Sequence, residues 1–168
     1  AIRALLEIDP AELSELTPKV AAAARAAGLD TSGVDALETV ATDYPGDAGV
    51  LVAVLMGQRV LSEGDAVYVP AGVVHAYVSG TGVEVMTASD NVLRLGLTPK
   101  TIAVDEALDA LDPELAPQPM SGEPTALPSG GIHRHYAPAG APFIVDWIGD
   151  GSFTSATGDY RLVLAVSS

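Results

Sequence analysis

A chain of 168 residues, 48% hydrophobic and 18% charged, has material for one ordinary core or two small ones, which excludes a disordered or fibrous protein. Eight Lys and Arg stand against 22 Asp and Glu, and a formal charge of −14 repels phosphate backbones and anionic lipid, so neither nucleic acid nor a membrane is an expected partner. Without cysteine there is no disulfide framework or thiolate metal site, and the longest apolar run, Val50 to Met56, is far short of the ~20 residues of a membrane helix; a cytoplasmic, monomeric protein is expected.

Residues 1 to 43 read as helices. Asp9-Pro10 supplies a cap and a first-turn proline, Thr17-Pro18 repeats the device, and Gly28 is a stop, which predicts two short helices meeting at Pro18. Asp30-Thr31-Ser32 would cap a third helix, with Val34, Leu37, Val40 and Ala41 as its packing stripe. At Tyr44-Pro45-Gly46-Asp47 the period changes. Val50 to Met56, Arg59 to Leu61, Ala66 to Val69, Ala76 to Val78 and Val83 to Thr87 are short β-rich runs punctuated by glycine, the spacing of a sandwich or barrel. A helix is predicted over Asp105 to Leu111, inside an acidic run (Asp105, Glu106, Asp109, Asp112, Glu114) that a helix dipole and a solvated face explain. The stretch from Asp112 to Gly131 is rich in Pro, Gly and Ser and reads as a linker. Phe143 to Ile148 and Tyr160 to Val166 read as two further strands, with Phe143 and Trp147 filling their core.

One local pattern is specific. Gly64 is followed after five residues by Pro70, then Gly72, then His75 and, four positions on, Ser79. Gly64 and Pro70-Ala71-Gly72 bracket a strand and reverse it. His75 opens the next strand, whose alternation puts His75, Tyr77 and Ser79 on one face. A lone histidine among valines is ordinarily a core or turn residue satisfied by a backbone hydrogen bond. The spacing, however, resembles the second motif of the cupins, small jelly-roll barrels in which this histidine binds a metal, with Ser79 in place of the usual asparagine. Residues 1 to 74 contain no histidine, so a metal site built on His75 is incomplete in this chain.

A longer resemblance accounts for that. Tyr44-Pro-Gly-Asp-Ala-Gly-Val, Pro70-Ala-Gly-Val-Val-His-Ala-Tyr, and above all Ser89-Asp-Asn-Val-Leu-Arg-Leu-Gly-Leu-Thr-Pro-Lys100 resemble the type I mannose-6-phosphate isomerases. The resemblance is dense from about Tyr44 to Lys100 and looser on either side. It implies a mainly β fold, a cupin jelly-roll barrel with an inserted helical region and thus α+β by content. On that reading 1–43 is the insertion, 44–111 the second half of the catalytic barrel plus a helix, 112–131 a linker and 132–168 the start of a second β domain. The resemblance also implies that the segment bearing the remaining zinc ligands (a glutamine, a histidine and a glutamate) and the end of the second barrel lie outside these 168 residues. Residue by residue, His75 matches a zinc ligand, Arg94 the catalytic arginine, Lys100 a basic residue near the sugar phosphate, Tyr77 a position lining the pocket, and Glu84 and Asp90 polar participants. The implied ligands are zinc and a small phosphorylated sugar.

The residues support part of this independently. An acidic protein that handles a sugar phosphate must gather positive charge locally, and Arg94 and Lys100 occur with no acid between Asn91 and Val104. A guanidinium suits bidentate contact with oxyanions. Glu84 lies between Val83 and Val85, and alternation sends it either to water or to a cavity. His133-Arg134-His135 has the spacing of two ligands on a strand face but, beside Gly130-Gly131, reads as an exposed loop. An alternative of another class is a non-catalytic, cupin-type sugar-phosphate binding or regulatory module. A metal oxygenase or epimerase sharing only the barrel would explain Gly64 to His75 and leave Ser89 to Lys100 unexplained.

Overall fold

A computed structural model describes residues 1–28, 31–89, 91–154 and 162–166. The chain divides into two units, Ala1–Leu61 with Val67–Gln118, and Ser62–Ala66 with Pro119–Ser168. Among the described residues no helix is long and apolar enough to cross a membrane.

The first unit carries the helices: α1 (Ile2–Leu6), α2 (Pro10–Ala26), α3 (Thr31–Asp43), α4 (Gly49–Val54) and α5 (Val104–Asp109). Asp9 opens α2 as expected, its carboxylate accepting from the Ala11 amide at 2.8 Å with Pro10 in the first turn. The predicted break at Pro18 does not occur. Leu13, Thr17 and Ala21 are buried at four-residue spacing, so one packing face runs straight through the proline. Burying that face outweighs the interior-proline penalty of ~3 kcal/mol. The stripe on α3 behaves as predicted, since Val34, Leu37 and Val40 join Ala21 and Val50 in the core. Its predicted cap residue Asp30 lies outside the described residues. Arg25 on α2 reaches Glu38 at 2.5 and 2.8 Å and Asp35 at 3.0 Å on α3. Its guanidinium holds the Glu38 carboxyl below its ordinary range, although so exposed a pair adds little stability.

The largest correction is Val50 to Met56. Predicted as a strand, it forms α4, buried from Gly49 to Val52 and packed on α3. A short apolar run has no readable period, and here an aspartate three positions upstream of Val50 decides: Asp47 accepts from the Gly49 amide at 2.7 Å through Oδ1, and its carbonyl from Val50 at 3.1 Å. Arg59 to Leu61, Ala76 to Val78 and Val83 to Thr87 also lack ladders and stay exposed. β propensity is a preference for packing on a pleated neighbour, so a run without a partner strand gains nothing from pairing.

A two-stranded sheet is formed by β1 (Asp65–Tyr68) and β2 (Gln118–Ser121). The second unit holds a separate, antiparallel three-stranded sheet of β3 (Thr125–Ala126), β4 (Ile132–Tyr136) and β5 (Val145–Gly149), in the order β3-β4-β5. The stretch read as a linker therefore contains β2 and β3. Thr125 pairs with His133, and His135 with Asp146. Tyr136 is the buried anchor: its hydroxyl donates to the Gly64 carbonyl at 2.6 Å, and a Cβ at Gly122 would run into its ring. Gly64, with φ of 84°, is the turn expected of it. β5 corresponds to the predicted strand at Phe143 to Ile148, but Trp147 is 41% exposed instead of filling a core. Its ring lies over Gly149, which presents no Cβ. Of the last predicted strand, Tyr160 and Arg161 lie outside the described residues and 162–166 is exposed without a ladder.

Candidate functional site

The Pro70-Ala71-Gly72 turn is anchored in its own unit. Gly72 has φ of 87°, its carbonyl accepts from the Asp112 amide at 3.0 Å, and a Cβ there would come within 2.9 Å of the Ala110 carbonyl. The strand expected to open at His75 does not form: residues 73–78 carry no ladder, although the rings of His75 and Tyr77 meet edge to face at 6.1 Å. Both are exposed. The Tyr77 hydroxyl donates to Glu84 at 3.0 Å. Local desolvation and then the Glu84 carboxylate push the phenol above its usual range.

The remaining predicted residues lie apart from that chain of contacts. Arg94 is half-buried and donates to the Val92 carbonyl at 3.3 Å, while Lys100 is exposed, with its amide bonded to the Thr98 hydroxyl at 3.2 Å. Among the described residues, no ion pair or hydrogen bond joins either side chain to His75, Tyr77 or Glu84. Asp90 lies outside the described residues.

Asp47 positions the Arg94 to Lys100 loop. Beyond its bond to Gly49, it accepts from the Leu97 amide at 2.9 Å through Oδ2, so one carboxylate ties the Tyr44–Asp47 turn to a segment 50 residues away. Gly96 permits the approach, with φ of 143° and a would-be Cβ only 2.6 Å from Gly49 Cα. A shallow depression of about 600 Å³ is lined here by Asp43, Tyr44, Pro45, Asp47, Thr98 and Pro99. Its two carboxylates make it unsuited to a phosphate without a neighbouring cation. Sequence reasoning missed this role of Asp47, although an Asp just upstream of an apolar run, here three positions before Val50, is a recognisable helix-start signal.

In the second unit, His133 and His135 are on β4 and not in an exposed loop. Their side chains and Asp146 share one face of the β4–β5 ladder, with Asp146 Oδ1 at 2.8 Å from His133 Nε2 and 2.7 Å from His135 Nδ1. The Phe153 ring packs over His133 at 4.6 Å between centroids. Burial alone would push the Asp146 carboxyl up, but hydrogen bonds from His135 and His133 outweigh it and hold it below its ordinary value. Asp146 was legible only as part of a strand, because which residue faces the histidines depends on register.

No family model and no solved structure matches the chain. Several curated proteins do. The chain is 50% identical over 70 residues to a probable mannose-6-phosphate isomerase of Dictyostelium discoideum, covering 42% of this chain and 16% of that protein. To the probable mannose-6-phosphate isomerase of Echinococcus multilocularis it is 35% identical over 118 residues, 68% of this chain and 27% of the relative. To the mannose-6-phosphate isomerase of Escherichia coli it is 46% identical over 63 residues, 38% of this chain and 16% of the relative. The chain belongs to the mannose-6-phosphate isomerase family.

It spans about a quarter or less of the length of these mannose-6-phosphate isomerases. The metal implied by the cupin resemblance can be tested on His75. Its Nδ1 lies 3.1 Å from the Val73 carbonyl. A carbonyl only accepts, so Nδ1 carries the proton and Nε2 keeps its lone pair free. The imidazole is chemically apt, yet it is one donor where zinc takes three or four. Among the described residues, the His, Cys and carboxylate groups near enough to share an ion are His133, His135 and Asp146. The residues in hand therefore do not complete a zinc site at His75.

Proposed function

We propose that this chain is part of a zinc-dependent isomerase that interconverts mannose 6-phosphate and fructose 6-phosphate. The similarity to mannose-6-phosphate isomerases, reaching 68% of the chain, carries that reading. Residues 1–43 are then a helical insertion, 44–111 part of a catalytic cupin barrel, 112–131 a connection and 132–168 the start of a second β domain. The exposed, unladdered apolar residues of the barrel segment support it, among them Val60 at 85%, Val83 at 60% and Met86 at 57% exposure. Such surface is what barrel strands present without the strands they pair with.

Moving a carbonyl between adjacent carbons transfers a proton through an enediol, which needs positive charge at the oxygens. Arg94 supplies it. One of its five donors is engaged by the Val92 carbonyl and its other guanidinium nitrogens can meet a developing oxyanion. Lys100 attracts the phosphate. Tyr77, held by Glu84, lines the sugar pocket, and Glu84 and Asp90 are its polar participants. His75 is one of the metal ligands, and the others come from outside the described residues.

Assay of the two sugar phosphates with the full-length protein and with this chain tests the proposal. Turnover by the full-length protein and little or none by the 168 residues is expected. A full-length, zinc-loaded protein that binds the sugar phosphate but never converts it would establish the binding-module reading instead.

A further inference from the structure

The geometry points to a second divalent-cation site, formed by His133 Nε2, His135 Nδ1 and an Asp146 carboxylate oxygen, that binds zinc or a similar late transition metal on the β4–β5 face. The three ligand atoms lie within 4.8 Å of one another. Strand alternation puts His133 and His135 on one side, and the register sets Asp146 opposite His135, so all three are held by backbone pairing and not by a mobile loop. His133 and Asp146 side chains are only 17% and 25% exposed, while His135 at 52% keeps the face reachable from solvent.

Metal–ligand bonds near 2.0–2.2 Å separate neighbouring donors in a tetrahedral site by about 3.3 Å, so the present 2.7 and 2.8 Å contacts need to open by only about half an ångström. For the cation to bind, each neutral ring exchanges its one proton through solvent from the nitrogen facing Oδ1 to the far nitrogen, so the facing lone pair becomes the ligand and no proton is gained or lost overall. Two imidazoles and one carboxylate match the borderline preference of Zn²⁺ and leave a position for water. A bound ion would clamp β4 to β5 and stabilise the second unit by mass action.

Zinc titration of the chelator-stripped 168-residue chain, followed by calorimetry and by melting temperature, tests the site. Wild type is expected to bind zinc and to melt at a higher temperature in its presence. His135→Ala and Asp146→Asn should each weaken binding by more than the roughly 10–100-fold that loss of an outer-shell partner costs. Unweakened binding in His135→Ala and Asp146→Asn, or none in wild type, overturns the site. Imidazole NMR signals of wild type cover the event that a variant misfolds: zinc should shift His133 and His135 before His75, and the reverse order overturns the inference.

Discussion

On the proposed reaction, replacing Arg94 by alanine in the full-length protein should lower turnover about 10²–10³-fold, the usual cost of removing one preorganised donor from a developing oxyanion, with zinc content unchanged. The side chain is half-buried, and its hydrogen bond to the Val92 carbonyl spends little of its donor capacity while orienting the rest. Arg94→Lys should recover only part of the loss, since an ammonium keeps the charge but not the planar fork. The readouts are kcat for the isomerisation and metal content of the same preparations. Loss of zinc in parallel with activity would make Arg94 a structural residue.

The second large effect is on stability. Asp47→Ala removes the acceptor of both the Gly49 and Leu97 amides, and Gly96→Ala forces a side chain to within 2.6 Å of Gly49 Cα at a φ of 143°. Two charge-assisted hydrogen bonds lost together, or a Cβ driven into backbone, should each cost on the order of 3 kcal/mol. Among the described residues every helix lies in the first unit, so the helical circular-dichroism signal during denaturant unfolding is the readout for it. A midpoint within experimental error of wild type for Asp47→Ala would show that the turn and the Arg94 loop are held by something else.

What the chain reveals without coordinates follows from the range of the forces involved. The Asp9 cap, the stop at Gly28, the α3 stripe and the Gly64 and Gly72 turns are local, and each was legible. Pro18 misled because α2 keeps its buried face across it. Val50 to Met56 misled because a fully apolar stretch is silent about its period, and the decision rested with Asp47. Ala76 to Val78 and Val83 to Thr87 have strand composition without strand pairing. At the proposed site, the sequence predicts a strand carrying His75, Tyr77 and Ser79 on one face; the rings of His75 and Tyr77 do meet, but in an exposed stretch with no ladder. The Asp47–Leu97 tether and the meeting of Asp146 with His133 and His135 depend on contacts made across long stretches of chain, and no spacing rule contains them.

Zinc content measured beside isomerase activity in full-length wild type and in His75→Ala tests the central claim most directly. A catalytic ligand predicts that the substitution removes both metal and turnover, and that added zinc restores neither at concentrations saturating wild type. A His75→Ala enzyme that holds its catalytic zinc and converts mannose 6-phosphate at the wild-type rate would contradict it.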